Sequence, residues 1–350
     1  MKELTPMNAT IVKFDALSAT EELWDGLFRC LDESSREVDP EEPLLPREKR
    51  KALIVSAEAN PYKRAHRFLV FPEESPLEAA GCAVVSVETP LSPSYGTNKH
   101  VGTLLQLFIS QKYRRKGLGS LLLKRVIEEL AAKEPSVTEF LAPVTLESGV
   151  NFMNRQGGTV SLETAENRLY LSDLDWVKVE AWAAGSARRN PGTTVMTVAV
   201  IPHEDIEDYS AAYTETINQQ PLGDVSLNIR YTPEQIRFDE QNNLEQGIAE
   251  TTIYTRESDG KVSGLTETLY LKEAGHKITQ MMTGVREAYR GRGLGKLVKA
   301  LMLMHIRKEY PCVKYLVTGN ADTNASMLAI NRQLGFKKHH SVKLYKLKIR

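Results

Sequence analysis

Apolar and polar positions in the first half of the chain follow two periods. Alternation over Thr10–Phe14 predicts a half-buried strand, and Leu23, Leu27 and Leu31 at four-residue spacing predict a helix that starts near Ser18. Further runs and stripes predict a helix at Arg47–Ala57, strands at Phe68–Phe71, Cys82–Val87 and Leu104–Ile109, and a helix with Leu118, Leu122, Val126 and Leu130 on one face. We therefore expect an α+β unit.

The second half repeats this order of elements. A strand at Thr194–Ile201 and a helix from about Glu204 come first. Thr232 followed by Pro233 predicts the start of a second helix, because Thr caps helices and Pro fits the first turn. The remaining apolar runs predict strands at Ile248–Thr255, Val262–Tyr270 and Ile278–Val285.

An internal repeat explains why the halves look alike. Gly117 and Gly293 are 176 residues apart, and so are Arg114 and Arg290, in a chain of 350 residues. Two cores are also expected from length, because single cores stop growing near about 250–300 residues. We predict an N-terminal domain at 1–180, a linker at 181–192, where periodicity is lost, and a C-terminal domain at 193–350.

The amino-acid composition limits the classes of binding partner that we expect for this protein. Forty-five Lys and Arg balance 45 Asp and Glu, and the pI is about 7.1, so the short Arg114–Lys116 run is a weak argument for nucleic-acid binding. No apolar run approaches the roughly 20 residues of a membrane span. The first residues lack the apolar core of a secretory signal, and three cysteines are too few for a disulfide framework. We expect a cytoplasmic protein without nucleic-acid or membrane partners.

Each repeat contains a glycine turn between a strand and an amphipathic helix. The turns read Arg-Arg-Lys-Gly-Leu-Gly at 114–119 and Arg-Gly-Arg-Gly-Leu-Gly at 290–295. Glycines let backbone amides converge on a ligand, and a helix N-terminus favours negative charge, so the pattern predicts a phosphate-binding turn. Neither turn has the spacing of a Walker A or a dinucleotide-binding motif. A simple loop with capping glycines is the alternative.

The second turn closely resembles the acetyl-coenzyme A signature of the GNAT superfamily of N-acetyltransferases. The segment from Thr318 to Phe336 resembles the downstream part of that signature, and the duplication is similar to tandem GNAT proteins of the mycothiol synthase type. The resemblance covers both halves. It implies two tandem GNAT-like domains, each a mixed, mostly antiparallel sheet flanked by helices.

The resemblance also implies acetyl-CoA as the acyl donor and no metal. The residues it assigns to CoA in the second copy are Thr283, Val285, Arg290, Gly291, Arg292, Gly293, Leu294, Gly295, Asn320 and Asn324. In the first copy they are Ile109, Arg114, Arg115, Lys116, Gly117, Leu118, Gly119 and Ser120. The acceptor amine would enter between two diverging parallel strands, Ile278–Val285 and Lys314–Thr318, and attack the thioester directly.

Catalytic groups are less clear from the sequence. Many family members carry a Tyr as thiolate acid where this chain has Asn331, and Asn154 stands there in the first copy. Asn331 can donate a hydrogen bond but is no general acid. Tyr345 is the candidate to replace this missing acid, with Tyr289 as an alternative. For both tyrosines a purely structural role in the core is the other interpretation. Glu267 is the candidate base, with a solvated strand carboxylate as the alternative.

Two weaker base candidates are Glu287 and His276, since loop charges are usually solvated. The first copy lacks the Asn-Ala-x-x-Asn pattern in its later segment, 147–153. We therefore predict an active C-terminal half that acetylates a primary amine of a small molecule or peptide, with a non-catalytic acyl-CoA-binding protein as the alternative. The acceptor pocket is expected near 39–46 and 218–223, and the duplication favours a monomer over a homodimer.

Overall fold

The computed structural model describes residues 7–221, 223–321 and 323–349. They form two compact units. The first contains residues up to Ser161 together with those from Lys343 onward, and the second is Leu162–Val342.

The first unit opens with the predicted strand and helices. Its elements are β1 (Ala9–Phe14), α1 (Glu21–Val38), α2 (Arg47–Glu58), β2 (Lys63–Pro72), β3 (Gly81–Glu88), α3 (Tyr95–Asn98), β4 (Val101–Ile109), α4 (Leu118–Lys133), β5 (Glu139–Val144) and α5 (Glu147–Arg155). Strand order is β1-β2-β3-β4-β5, and only β4 and β5 pair in parallel. The apolar stripe of α4 packs on one face of this sheet, and Trp24 and Phe28 of α1 pack on other apolar residues of the unit.

The elements that follow along the chain repeat this plan. They are β6 (Thr159–Tyr170), α6 (Trp176–Arg189), β7 (Thr194–Val198), α7 (Ile206–Asn218), α8 (Pro233–Glu245), β8 (Ile248–Arg256), β9 (Val262–Leu271), β10 (Lys277–Val285), α9 (Leu294–Glu309), β11 (Tyr315–Ala321), α10 (Ala325–Leu334) and β12 (Lys337–Lys348). In the second unit the strand order is β6-β11-β10-β9-β8-β7, and only β10 and β11 are parallel. The predicted mixed, mostly antiparallel sheet with flanking helices is confirmed.

Two expectations about domain organisation differ from the structure. The segment 181–192 is not a loop, because α6 runs through it to Arg189. Asp175 caps this helix by accepting from the Lys178 amide, and Val179, Ala183 and Ser186 are buried. Alanine favours a helix, and the single internal glycine does not end it.

The ends of the two units also differ from the predicted boundaries. Residues 343–348 of β12 pair antiparallel with β5 and therefore belong to the first unit. Conversely, residues 162–180 belong to the second unit, where β6 pairs with β11. Among the described residues, none of the helices combines the length and apolar character needed to cross a bilayer.

Candidate active site

The glycine turn of the second unit has the conformation that its sequence predicts. Gly291 and Gly293 have φ angles of 79° and 82°, a left-handed region that favours glycine. α9 begins directly after them at Leu294. Within the described chain, the amides from Gly291 to Gly295 have no main-chain acceptor. Converging free amides at a helix N-terminus are suited to a phosphate group.

The two arginines of this turn have different environments. The Arg292 guanidinium donates to Asn190 Oδ1 and Thr193 Oγ1, each at 2.8 Å, and forms an ion pair with Glu257 at 3.0 Å. These contacts hold the Arg292 side chain against Asn190, Thr193 and Glu257, so its charge is already paired. Arg290 is exposed, and its guanidinium donates to the neutral Gln219 side chain at 2.5 Å. Its charge is therefore available to an anion.

The strand leading to the turn separates from its parallel neighbour. β10 and β11 pair only over Lys277–Thr279 and Tyr315–Val317. β10 also changes register against β9 between Gln280 and Thr283, which leaves ladder carbonyls without strand partners. The buried Gln280 amide compensates by donating to the carbonyls of Glu267 and Met282, at 2.9 and 3.3 Å. The sequence-based expectation of two diverging parallel strands matches this geometry.

A cavity of about 240 Å³ lies in the second unit at this separation. Its lining comes from β6, the segment after α7, β10, α9, β11 and the start of α10. The lining residues are Leu162, Thr164, Gln220, Pro221, Gln280, Met281, Thr283, Lys299, Thr318, Gly319, Asn320, Ala321, Asn324 and Met327. Three residues expected at the CoA site, Thr283, Asn320 and Asn324, are thus brought together on its wall.

One lining residue was not singled out by sequence reasoning. Lys299 of α9 is only 2% exposed, and its Nζ donates to Asn331 Oδ1 at 2.9 Å. Asn331 in turn donates to Asn320 Oδ1 at 2.7 Å. Burial alone lowers the pKa of Lys299 to about 7. A comparison of the repeats could have revealed it, because the residue 176 positions earlier is Leu123.

Glu267 has an environment that alters its proton affinity. Burial is the main cause that raises its pKa to about 8, and the carboxylates of Glu250, Asp239 and Glu240 add to the effect. Thr268, the next residue, contacts Met302 of α9, so by strand alternation Glu267 points to the opposite face of the sheet. Glu267 is not among the residues that line the cavity. Its role as base stays a prediction.

The remaining expected residues of the second copy surround the turn. Val285 is the last residue of β10, beside Gly295, and Leu294 is buried below the turn. Tyr289 contacts the Arg292 guanidinium and does not line the cavity. Glu287 is exposed, and the His276 carbonyl accepts from the Lys314 amide. Of the segment 218–223, Gln220 and Pro221 line the cavity, and Leu222 lies outside the described residues.

The first copy retains the shape of the turn. Gly117 has the same φ of 82° as Gly293, and Leu118 is buried like Leu294. However, Arg115 stands where the second copy has Gly291 and adopts a φ of 62°, which costs a residue with a side chain about 1–2 kcal/mol. The expected residues are therefore in place, but the backbone is strained.

Two of the three cations of the first turn, Arg114 and Lys116, are paired, whereas Arg115 is exposed. Arg114 donates to the Ile109 carbonyl and, through both terminal nitrogens, to the two oxygens of Glu37 at 2.8 and 2.5 Å. Lys116 lies 3.7 Å from Glu74. These side chains are less available to an anion than Arg290.

The space above the first turn also differs. The Phe152 ring packs so closely that a Cβ at Gly119 would lie 3.2 Å from it, and Ser120 accepts from Gln156. Leu123 and Leu104, which correspond to Lys299 and Gln280, are both part of the apolar core. The polar groups of the second cavity thus have apolar counterparts.

Tyr345 is placed differently from the sequence-based expectation. It belongs to the first unit, is 1% exposed, and donates to Asn154 Oδ1 at 2.8 Å. The reason is that the end of β12 pairs with β5. Tyr345 is therefore a buried partner of Asn154 and not part of the unit that holds the cavity. The segment 39–46, expected near the acceptor, likewise belongs to the first unit.

Comparisons with known proteins identify the fold. The model of the acetyltransferase (GNAT) family matches residues 24–155, which lie in the first unit. A solved structure titled as a tandem GNAT protein from the clavulanic acid biosynthesis pathway, without AcCoA, aligns with a TM-score of 0.73 and 19% identity over 98% of this chain and 99% of that one. This protein has the tandem GNAT fold.

Two further solved structures have a similar fold. A GCN5-related N-acetyltransferase from Sphaerobacter thermophilus aligns at 17% identity with a TM-score of 0.65, covering 99% of this chain and 97% of that one. A glucosamine N-acetyltransferase region of a fungal β-N-acetylglucosaminidase aligns at 13% identity with a TM-score of 0.67, covering 98% of this chain and 38% of that one. A search of curated sequences finds no match. The narrower resemblance to mycothiol synthase-type proteins stays a prediction.

Proposed function

We propose that the second unit transfers an acetyl group from acetyl-CoA to a primary amine of a small molecule or peptide. The observation that carries this proposal is the polar cavity at the separation of β10 and β11, in the same unit as a glycine turn with free amides. A thioester needs such a combination, because its pyrophosphate requires donors while its reacting carbonyl requires a site that excludes water.

Binding follows from the residues around the turn. The amides of Gly291 to Gly295 hold the pyrophosphate, and the exposed Arg290 adds a charge-assisted contact. Thr283 and Val285 lie along β10, where main-chain groups left free by the separation from β11 pair with the pantetheine arm. Asn320 and Asn324 complete the wall.

Proton removal from the acceptor is assigned to Glu267. Its pKa of about 8 is closer to that of an alkylammonium than an ordinary carboxyl value, which favours proton transfer at mildly alkaline pH. It faces away from α9, so a base there serves an acceptor that enters from the face opposite to that helix. A water molecule links it to the amine, since Glu267 does not line the cavity itself.

The first unit has a different role in this proposal. Its apolar core replaces the polar lining, and Glu37 neutralises Arg114. We assign it a structural or regulatory function, within a monomer that acts in the cytoplasm without nucleic-acid or membrane partners. The match of the family model to this unit reflects the retained fold.

The test measures acetyl-CoA turnover with a panel of primary amines, and the release of free thiol is the readout. Gly291→Trp is designed to obstruct the proposed pyrophosphate position, and a Cβ at Gly291 meets nothing within 4 Å. Gly260→Trp is the matched control, since Gly260 has a similar φ of 83° and equally open surroundings.

We expect turnover with at least one amine, its loss in Gly291→Trp and its retention in Gly260→Trp. Tight binding of acetyl-CoA without turnover of any amine would favour a non-catalytic acyl-CoA-binding protein, for which the Asn at positions 154 and 331 is the supporting observation. Equal loss in both variants would contradict the assignment of the turn.

A further inference from the structure

Acyl transfer from a thioester generates a thiolate, and the second cavity contains a group suited to receive it. Lys299 is the cationic side chain among the described residues that line this cavity. Its Nζ donates to Asn331 Oδ1 at 2.9 Å, and the other residues on the cavity wall have amide, hydroxyl or apolar side chains. An ammonium has three N–H donors, so one hydrogen bond leaves further donors for a ligand.

Among residues 7–221, 223–321 and 323–349, no carboxylate forms an ion pair with Lys299. Burial is the only cause that shifts its pKa, and no charged group contributes. On the far side, the Phe336 ring centroid lies 5.1 Å from Nζ. A buried lysine without a counter-ion costs stability unless a ligand supplies the negative charge. The cavity is thus complementary to an anion that forms inside it.

The position of Lys299 relative to the glycine turn indicates which end of a bound coenzyme would lie near it. α9 provides the amides of its first turn to the phosphate site, and Lys299 lies on the same helix about one and a half turns further on, at about 1.5 Å per residue. Under the proposed function the coenzyme extends from the turn along β10. The residues of β10 that line the same cavity as Lys299 are Gln280, Met281 and Thr283. Asn331 orients the amine, and Asn320 fixes Asn331.

We propose that Lys299 is the proton donor to the coenzyme A thiolate. Resting on the proposed function, the step is as follows: the acceptor nitrogen forms its bond to the acyl carbon, the C–S bond breaks, and its electron pair goes to sulfur. One N–H proton of the Lys299 ammonium moves to that sulfur and gives the free thiol. The neutral amine then takes up the proton that the acceptor released, and the enzyme is restored.

The first copy supports this reading by contrast. Leu123 occupies the corresponding position and is part of the apolar core. Tyr345 there donates to Asn154, so the asparagine that corresponds to Asn331 has a tyrosine and not a lysine as its partner. The lysine is thus a feature of the second copy alone within the described repeats.

The test measures the thiol of bound CoA rather than turnover alone. Ultraviolet absorbance of the thiolate is followed against pH for CoA bound to the wild type, Lys299→Met and Lys299→Gln. We expect the wild type to lower the thiol pKa by about one unit from its ordinary value near 8.5. Both variants should abolish the shift, although Gln keeps an N–H donor for Asn331.

Lys296→Gln is the matched control. Lys296 lies on the same helix, bonds to Gln333 and stacks over Trp182 outside the cavity, so its replacement should leave the thiol pKa unchanged. With an amine acceptor, Lys299→Gln should lower kcat by about 10²–10⁴-fold with little change in the KM for acetyl-CoA.

The outcomes separate the two proposals. A normal thiol pKa in wild-type complexes that bind CoA overturns the role of Lys299 and leaves the proposed function intact. A shift that Lys299→Gln retains means that the lysine is only structural, which also overturns it. If the wild type does not bind CoA, that result contradicts both the proposed function and this inference.

Discussion

The two glycine turns of this protein have nearly the same backbone and opposite surroundings. Gly117 and Gly293 share a φ of 82°, and each precedes a 16-residue helix. In the second copy the turn lies in a unit with a polar cavity and an available Arg290. In the first copy Arg114 is paired with Glu37, and leucines replace the polar lining. Backbone shape therefore persists after the side chains that give it a ligand have changed.

The largest expected effect comes from blocking each turn in the same way. Gly291→Trp should lower kcat/KM for acetyl-CoA by at least about 10³-fold, because it obstructs several converging amides at once. Arg115→Trp, at the corresponding position, should change it less than about twofold, since Arg115 already carries a side chain at a positive φ. Steady-state kinetics of both variants measure this, and an equal loss would mean that both turns bind the donor.

Replacement of the proposed base, Glu267, should reduce the rate by a smaller factor that depends on pH. Glu267 acts as base only when ionised and Lys299 as acid only when protonated, so the wild-type kcat/KM should rise with pH to a maximum between about 7 and 8 and then fall. Glu267→Gln should be about 10²-fold slower and lack this rise. A pH profile of kcat/KM checks it, and an unchanged profile in Glu267→Gln would remove the residue from the mechanism.

The same shift affects stability. Because the folded pKa of Glu267 lies above its ordinary value of 4.5, this group contributes stability that is complete below about 4.5 and is lost as the pH rises to about 8. Glu267→Gln should therefore raise the free energy of unfolding relative to wild type at pH 8, by about 1–3 kcal/mol, and change it much less at pH 5. Calorimetry at the two pH values distinguishes this from a uniform change.

Asn331 and Asn154 occupy corresponding positions in the two repeats, and their replacement should have stability effects of similar size. Asn331→Ala and Asn154→Ala each leave a buried donor without its acceptor, Lys299 in one case and Tyr345 in the other. Each should cost about 1–3 kcal/mol of stability, measured by calorimetric unfolding. Only Asn331→Ala should also reduce acetyl transfer, and a matching loss of turnover in Asn154→Ala would show that both copies are catalytic.

The smallest expected effect concerns backbone strain. Arg115→Gly removes a left-handed cost of about 1–2 kcal/mol and adds the greater entropy of glycine, about 0.5–1 kcal/mol, so it should stabilise the protein by up to about 1.5 kcal/mol. Gly291→Ala should have the opposite sign. Thermal unfolding of the two variants checks both, and a destabilised Arg115→Gly would mean that the Arg115 side chain contributes more than its backbone costs.

Local patterns made most of the fold predictable. The spacing of Leu118, Leu122, Val126 and Leu130 indicates α4, and Thr232 with Pro233 indicates the start of α8. The prediction of a linker at 181–192 was wrong, because loss of hydrophobic periodicity was interpreted as loss of secondary structure. Helix α6 buries only a narrow stripe of residues, so its pattern is weak. The division of the units was missed because strand pairing between distant segments, such as β12 with β5, leaves no local signal.

The candidate site was predictable only in part. The glycine turn is a contiguous motif whose φ angles follow from its residues. Lys299 was missed because a single polar residue in an apolar stripe reads as part of the helix surface, and its burial depends on tertiary packing. Tyr345 was assigned to the wrong unit for the same reason as the boundary. Chemistry that depends on which strands become neighbours cannot be read from spacing.

The most direct test of the central claim is a calorimetric titration of acetyl-CoA into the protein, with the number of sites as the fitted quantity. The account predicts one site per chain, absent in Gly291→Trp and present in Arg115→Trp. Two sites in the wild type, or one site that survives in Gly291→Trp and disappears in Arg115→Trp, would contradict it.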